Sequence, residues 1–192
     1  TKILDLKLIQ PKFFKDNRGC FSEIFNKKDF ENIIHKINFV QINSVKSHKG
    51  VLRGLHFQNP PYDQSKLVSC ITGEVMDVVV DLRSNSPTYG QFESIILSEK
   101  NKLQLFIPKG FAHAYYSFEK LNIVYYKLTN YYKPNFETYA ECHAYANKNN
   151  QMIYGRAAHH YNYELTPESI YCITGEQVKD INNNTWEEKK NI

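Results

Sequence analysis

The chain has 192 residues, enough for one domain with a substantial core and too few for two. Hydrophobic content of 42% and aromatic content of 14% exclude a disordered chain, and the 14 Tyr and 12 Phe suit strands. Its net charge of +4 is scattered along the sequence, which suits an anionic ligand but not a nucleic-acid surface.

No apolar run approaches the roughly 20 residues of a membrane span, so no membrane partner is expected. Lys2 and Asp5 stand where a secretion signal would place its apolar stretch. Cys20, Cys70, Cys142 and Cys172 form no CxxC pair. They read as reduced thiols of a cytoplasmic protein, not as a zinc site or a disulfide scaffold.

Taken in chain order, Asp16-Asn17-Arg18-Gly19 is a turn leading into the alternating Cys20–Phe25. Asp29–Ile34 has helical spacing, with Asp29 as the expected N-cap. Strands are predicted over Phe39–Ser44, Val51–Gln58, Lys66–Thr72, Val75–Leu82, Phe92–Leu97, Leu103–Ile107, His113–Phe118 and Ile123–Leu128. The Val75–Leu82 run is nearly continuous and reads as buried. Ile71-Thr72-Gly73-Glu74 reads as a hairpin between two strands, and Ser84-Asn85-Ser86-Pro87 as a turn. Short strands without long helices between them predict an all-β sandwich or barrel over residues 1–137. Periodicity then weakens, so 138–192 is expected to be an irregular segment packing on the barrel or extending from it.

Four places carry chemistry. In Val51–Gln58, period 2 puts Leu52, Gly54, His56 and Gln58 on one face and Arg53, Leu55 and Phe57 on the other. A bulge at Gly54 would bring Arg53 to the His56 side. His56 is either a core histidine or, pointing into a small barrel, a general base. Lys66 opens a strand and shares a face with Val68 and Cys70, so it either snorkels to solvent or meets a developing oxyanion. His113 follows the turn Pro108-Lys109-Gly110, a pattern that can deliver a metal ligand. A metal needs three converging ligands, however, and the partner strand has Gln58 where a second histidine would stand, so no metal is expected. Tyr126 shares the interior face with Val124, as a proton donor or as a hydrogen-bonded core phenol.

Several long motifs resemble one family. They are Phe13-Phe14-x-Asp16-x-Arg18-Gly19, Phe39-Val40-Gln41-x-Asn43, Val51–Gln58, Gln64-x-Lys66-Leu67-Val68, Gly73-Glu74-Val75-x-Asp77-Val78 and Asp81-Leu82-Arg83-x-x-Ser86-Pro87-Thr88. Leu105-x-Ile107-Pro108-x-Gly110-Phe111-Ala112-His113 and Tyr126-Lys127-x-Thr129-Asn130-Tyr131-Tyr132-x-Pro134-x-x-Glu137 complete the set. Together these are similar to the dTDP-4-dehydrorhamnose 3,5-epimerases. The resemblance implies a cupin jelly roll, a homodimer, no cofactor or metal, and a nucleotide-linked 4-keto-6-deoxy sugar as substrate. It implies His56 as base, Tyr126 as proton donor from the opposite face, and Lys66 as the cation at the enolate oxygen. Arg18, Glu23, Gln41, Asn43, Arg53, His113 and Glu137 fall on the family's substrate-contact positions.

Other readings are a mono-epimerase at C3 or C5, an epimerase of another nucleotide sugar such as a GDP-linked deoxyheptose, and a sugar-binding cupin without chemistry. A 3,4-ketoisomerase would typically carry closely spaced histidines where this chain has His56-Phe57-Gln58. The resemblance ends near Glu137. The family's later Trp-rich segments have no counterpart, the one tryptophan being Trp186, and Ser169 of Leu165-Thr166-Pro167-Glu168-Ser169 stands where the family has the Asp that orients its base. Glu168, Asp180 or a backbone carbonyl would have to orient His56 instead. A base without a carboxylate is weaker, so inversion of both centres is expected to suffer first.

Overall fold

In a computed structural model, residues 1–139 apart from Leu4 are described, with three two-residue strands beyond them. The strands are β1 (Lys7–Ile9), β2 (Phe13–Asp16), β3 (Gly19–Ser22), β4 (Gln41–Ser47), β5 (Leu52–Gln58), β6 (Lys66–Thr72), β7 (Glu74–Asp81), β8 (Phe92–Ser98), β9 (Gln104–Ile107), β10 (Phe111–Ser117), β11 (Asn122–Leu128) and β12 (Glu137–Tyr139). They form two facing antiparallel sheets, ordered β1-β9-β6-β11-β4 and β12-β5-β10-β7-β8. From β4 onward the chain mostly crosses from one sheet to the other at each connection, which is the jelly-roll path. Short strands β13 (Ala144–Tyr145), β14 (Met152–Ile153) and β15 (Cys172–Ile173) pair with one another.

Alternation along the strands explains the two layers of apolar packing. On β7, Val75 and Val79 join an inner core with Val68, Cys70, Leu105, Phe111, Tyr115 and Val124. Met76, Val78 and Val80 point the other way, into a cluster with Leu55, Ala112 and Ala114. Both faces of β7 are therefore covered, which is why its sequence reads as an unbroken apolar run. A third cluster lies outside the first sheet, where Phe30 packs on Leu67 and Phe106 with Phe25 and Phe39 beside it.

Phe30 belongs to α1 (Lys27–Ile33), and here the sequence expectation shifts. The N-cap is Asn26, not Asp29: its Oδ1 accepts from the Lys28 and Asp29 amides at 3.1 and 3.3 Å. Asn caps as well as Asp does, and the earlier cap frees Asp29 for the first turn, where its charge suits the helix dipole.

The expected hairpin at Ile71–Glu74 is also corrected. β6 and β7 lie in different sheets and do not pair, so Gly73 turns a corner between layers. Its φ is +79°, and a Cβ there would stand 2.4 Å from the Leu121 carbonyl oxygen.

At the far end of β7, Asp81 organises the turn into β8. Arg83 Nε and Nη2 donate to its two oxygens at 2.9 and 2.8 Å, and the Ser86 and Thr88 hydroxyls donate at 2.6 and 2.7 Å. Burial opposes the charge on Asp81, yet these donors outweigh it and hold the carboxyl well below the usual carboxylate range.

The irregularity that matters for function lies in β5. Its pairing with β10 matches His56 to His113 but Arg53 to Tyr115, so Gly54 and Leu55 of β5 lie opposite Ala114 alone on β10. Gly54 occupies that bulge at φ +109°, where a Cβ would lie 2.3 Å from the His113 carbonyl oxygen and 2.7 Å from Ala114. Gly54→Ala should therefore destabilise the fold by about 2–4 kcal/mol, from a left-handed φ plus a clash with backbone. Urea unfolding checks this; a midpoint within error of the wild type would show that the bulge tolerates a side chain.

Candidate active site

The bulge decides which β5 side chains enter the barrel. Leu52, expected on the His56 face, instead packs outward with Leu55 and Phe57, because the extra residue reverses the alternation before Gly54. Arg53, His56 and Gln58 are left on the inner side, Arg53 bonding through Nε to Ser47 Oγ at 3.1 Å.

His56 meets Lys66 directly, with Nε2 3.3 Å from Nζ. An ammonium can only donate, so His56 Nε2 is the acceptor and Nδ1 carries the imidazole proton. Lys66 does not snorkel: it is 5% exposed, near the start of the interior row Lys66, Val68, Cys70. Burial pulls its pKa down to about 8, while the charges of Asp77 and Glu137 push it back up. At neutral pH it is still mostly a cation.

Beside this pair lies a second one. His113, directly across the ladder from His56, has Nε2 2.8 Å from Asp77 Oδ2, and the His56 and His113 ring centroids are 6.0 Å apart. Tyr126 packs against the inner core from the opposite sheet, across from Asn43 on β4 and from Val68 on β6, one pleat from Lys66. Gln41 Nε2 donates to Asn43 Oδ1 at 3.0 Å and its Oε1 accepts from the Tyr132 amide at 3.2 Å. Glu137 lies across from Gln58 at the start of β12 and accepts the Tyr132 hydroxyl, a contact that with burial pushes the phenol up to about 12.

Thus His56, Lys66, Tyr126, His113, Gln41, Asn43, Arg53 and Glu137 belong to one barrel interior and its mouth. Arg18 and Glu23 do not join them. Arg18 bonds to Asp16 within its own hairpin, β2 and β3 pair only with each other among the described residues, and Glu23 is exposed just after β3. Asp77 is the partner that sequence reasoning left unassigned. Its signal was available, an acidic residue inside the valine run of β7. Gln58 is the other, considered only for the histidine it replaces. Ser169, Glu168, Asp180 and Trp186 lie outside the described residues. Among the described residues no group of three or more His, Cys, Asp or Glu could hold a metal, and no helix is long and apolar enough to cross a membrane.

The profile of the dTDP-4-dehydrorhamnose 3,5-epimerase family matches residues 1–151. The chain belongs to that family, which comprises carbohydrate epimerases of the isomerase class. The Salmonella typhimurium dTDP-4-dehydrorhamnose 3,5-epimerase is 50% identical over 138 residues, covering 71% of this chain and 75% of that one. The crystal structure of the Legionella pneumophila dTDP-6-deoxy-D-glucose-3,5-epimerase in complex with dTDP-4-keto-L-rhamnose is 48% identical, with a TM-score of 0.71 over 73% of this chain and 75% of that one. A 3'-monoepimerase from Streptomyces bikiniensis, in complex with dTDP-quinovose, is 29% identical with a TM-score of 0.70, covering 73% and 72% of the two chains.

The buried ammonium has a thermodynamic consequence. The pKa of Lys66 is about 8 in the folded chain and about 10.4 in the unfolded one. Between those values the unfolded chain binds the extra proton, so stability rises with pH there, and the full penalty applies below pH 8. Lys66→Met should accordingly raise the unfolding free energy from urea melts at pH 7 by about 1–3 kcal/mol, with the gain shrinking between pH 8 and 10. A gain independent of pH would mean that the lysine is not strained by burial.

Proposed function

We propose that this chain inverts C3 and C5 of a dTDP-linked 4-keto-6-deoxyglucose to give the 4-keto-rhamnose nucleotide. The observation that carries the reading is the His56–Lys66 contact, an imidazole whose Nε2 faces a buried ammonium that the substrate's O4 would take over as donor, with the Tyr126 phenol on the sheet opposite His56.

The ketone at C4 acidifies the hydrogens on C3 and C5. His56 Nε2 takes one of these protons, the C–H electron pair moves into the enolate, and negative charge collects on O4. The Lys66 ammonium stabilises that oxygen in a site where water does not screen it. As the enolate collapses, carbon takes a proton from Tyr126 on the other face, which inverts the centre. The imidazolium and phenolate then recover their resting states by exchange with solvent. Asp77 holds His113 in one orientation as a polar contact for the sugar, and Arg53 supplies positive charge for the diphosphate.

Arg18 and Glu23 lie on a hairpin that presents Phe14 and Phe21, 63% and 67% exposed, with their rings stacked. A homodimer that seats this hairpin on the neighbouring barrel would cover those rings and bring Arg18 to a substrate. Free Cys20 and Cys70 suit a reducing, cytoplasmic setting. A second reading, inversion at one centre only, is favoured by the likeness to the Streptomyces bikiniensis 3'-monoepimerase and by Ser169 in place of a carboxylate.

The deciding experiment is incubation with dTDP-4-keto-6-deoxyglucose in deuterated water, followed by NMR. Deuterium at both C3 and C5 with inversion at both is expected. Label and inversion at one centre support the second reading, and no wash-in overturns both.

In the same assay His56→Ala should lose label incorporation by at least ~100-fold while remaining folded. Tyr126→Phe should slow formation of inverted product more than wash-in, because the base survives and the donor is gone. An unchanged ratio of the two rates would assign the donor to another group.

A further inference from the structure

Gln58 shares the inner face of β5 with His56, two residues on, and is 6% exposed. Its amide is fully engaged with main chain. Oε1 accepts from the Lys133 amide at 2.6 Å, and Nε2 donates to the carbonyls of Tyr62 and Tyr131 at 2.6 and 3.2 Å. One acceptor and two donors on a short planar head is a set that only a carboxamide offers. A histidine here could not satisfy all three groups at once, which is why the position is not a second imidazole.

Two of the three bonds converge on one stretch of chain, and the third fixes the Tyr62 turn after β5. Tyr131 and Lys133 flank Tyr132, whose own amide is held by Gln41 and whose hydroxyl bonds Glu137. Glu137 in turn stands across the ladder from Gln58, the Asn59 amide bonds the Phe136 carbonyl at 2.9 Å, and the Glu137 charge acts on Lys66. Residues 131–137 therefore form a wall of the barrel mouth: the β12 ladder and the Asn59–Phe136 bond tie its far end to the strand that bears His56, and the Gln58 side chain ties its near end, residues 131–133.

We propose that Gln58 is a positioning residue that clamps residues 131–133, the near end of this wall, to the His56 strand and so sets the wall against which the nucleotide sugar binds. This rests on the epimerase reading above. The reacting atoms lie with His56, Lys66 and Tyr126, none of which bonds Gln58, so the clamp acts on binding more than on proton transfer.

Gln58→Met keeps the volume and removes all three bonds. The expected result is a Lys133 amide that exchanges with deuterium at least tenfold faster, read by NMR, and a KM for dTDP-4-keto-6-deoxyglucose raised about tenfold with kcat within threefold. Gln58→Glu keeps the acceptor for Lys133 and, with its carboxyl held protonated by burial against the two carbonyls, one donor. It should retain slow exchange at that amide and give a KM between those of the wild type and the methionine variant, a partial rescue that simple loss of packing would not produce. An unprotected Lys133 amide with an unchanged KM, an amide that stays protected in Gln58→Met, or a fall in kcat alone would each overturn the proposal. If the wild type itself turns over no 4-keto sugar nucleotide, the epimerase reading fails. The amide exchange still reports on the clamp.

Discussion

A lysine ammonium inside a β barrel is the constraint around which the rest is arranged. Removed from water, the Lys66 charge is tolerated only with compensation, and the barrel supplies it in three forms: the field of Asp77, the field of Glu137, and a lone pair on His56. Each comes from a different strand. The compensation thus requires β5, β7 and β12 of one sheet to face β6 of the other, which is what the jelly-roll path achieves.

The same arrangement makes the site chemically asymmetric. Cation, imidazole and acid lie together, while the Tyr126 phenol sits among apolar neighbours on the first sheet. A reaction that removes a proton at one face of a carbon and returns it at the other needs two groups of different basicity on two walls. Two facing sheets provide those walls without any special loop. The strands that carry His56, Lys66 and Tyr126 are the strands of the core, so the apolar clusters on their outer faces also hold those side chains in place.

The hairpin of β2 and β3 follows a different logic. Among the described residues it is paired only with itself, and it carries stacked, exposed aromatics and an arginine bonded within its own turn. An exposed apolar patch of that kind has the composition of a contact surface.

Much of this was legible in the sequence. Strand positions followed from period-2 alternation and from the apolar run of β7, and the interior faces of β6 and β11 were read correctly because those strands are regular where it matters: Lys66 with Val68 and Cys70, Val124 with Tyr126. The family motifs then singled out His56, Lys66 and Tyr126, which the fold places on the interior walls. Where the reading failed, the cause was non-local. Leu52 was placed on the wrong face because a bulge shifts alternation by one, and its effect depends on β10 crowding Gly54. Gly73 looked like a hairpin turn because a corner between sheets and a turn within one use the same residue. Asp77 and Gln58 went unassigned because their roles exist only through partners 36 and up to 75 residues away in the chain. Local pattern thus determined the strands and their reactive side chains. Tertiary structure alone decided which of them meet, because a contact between sheets leaves no period in the sequence.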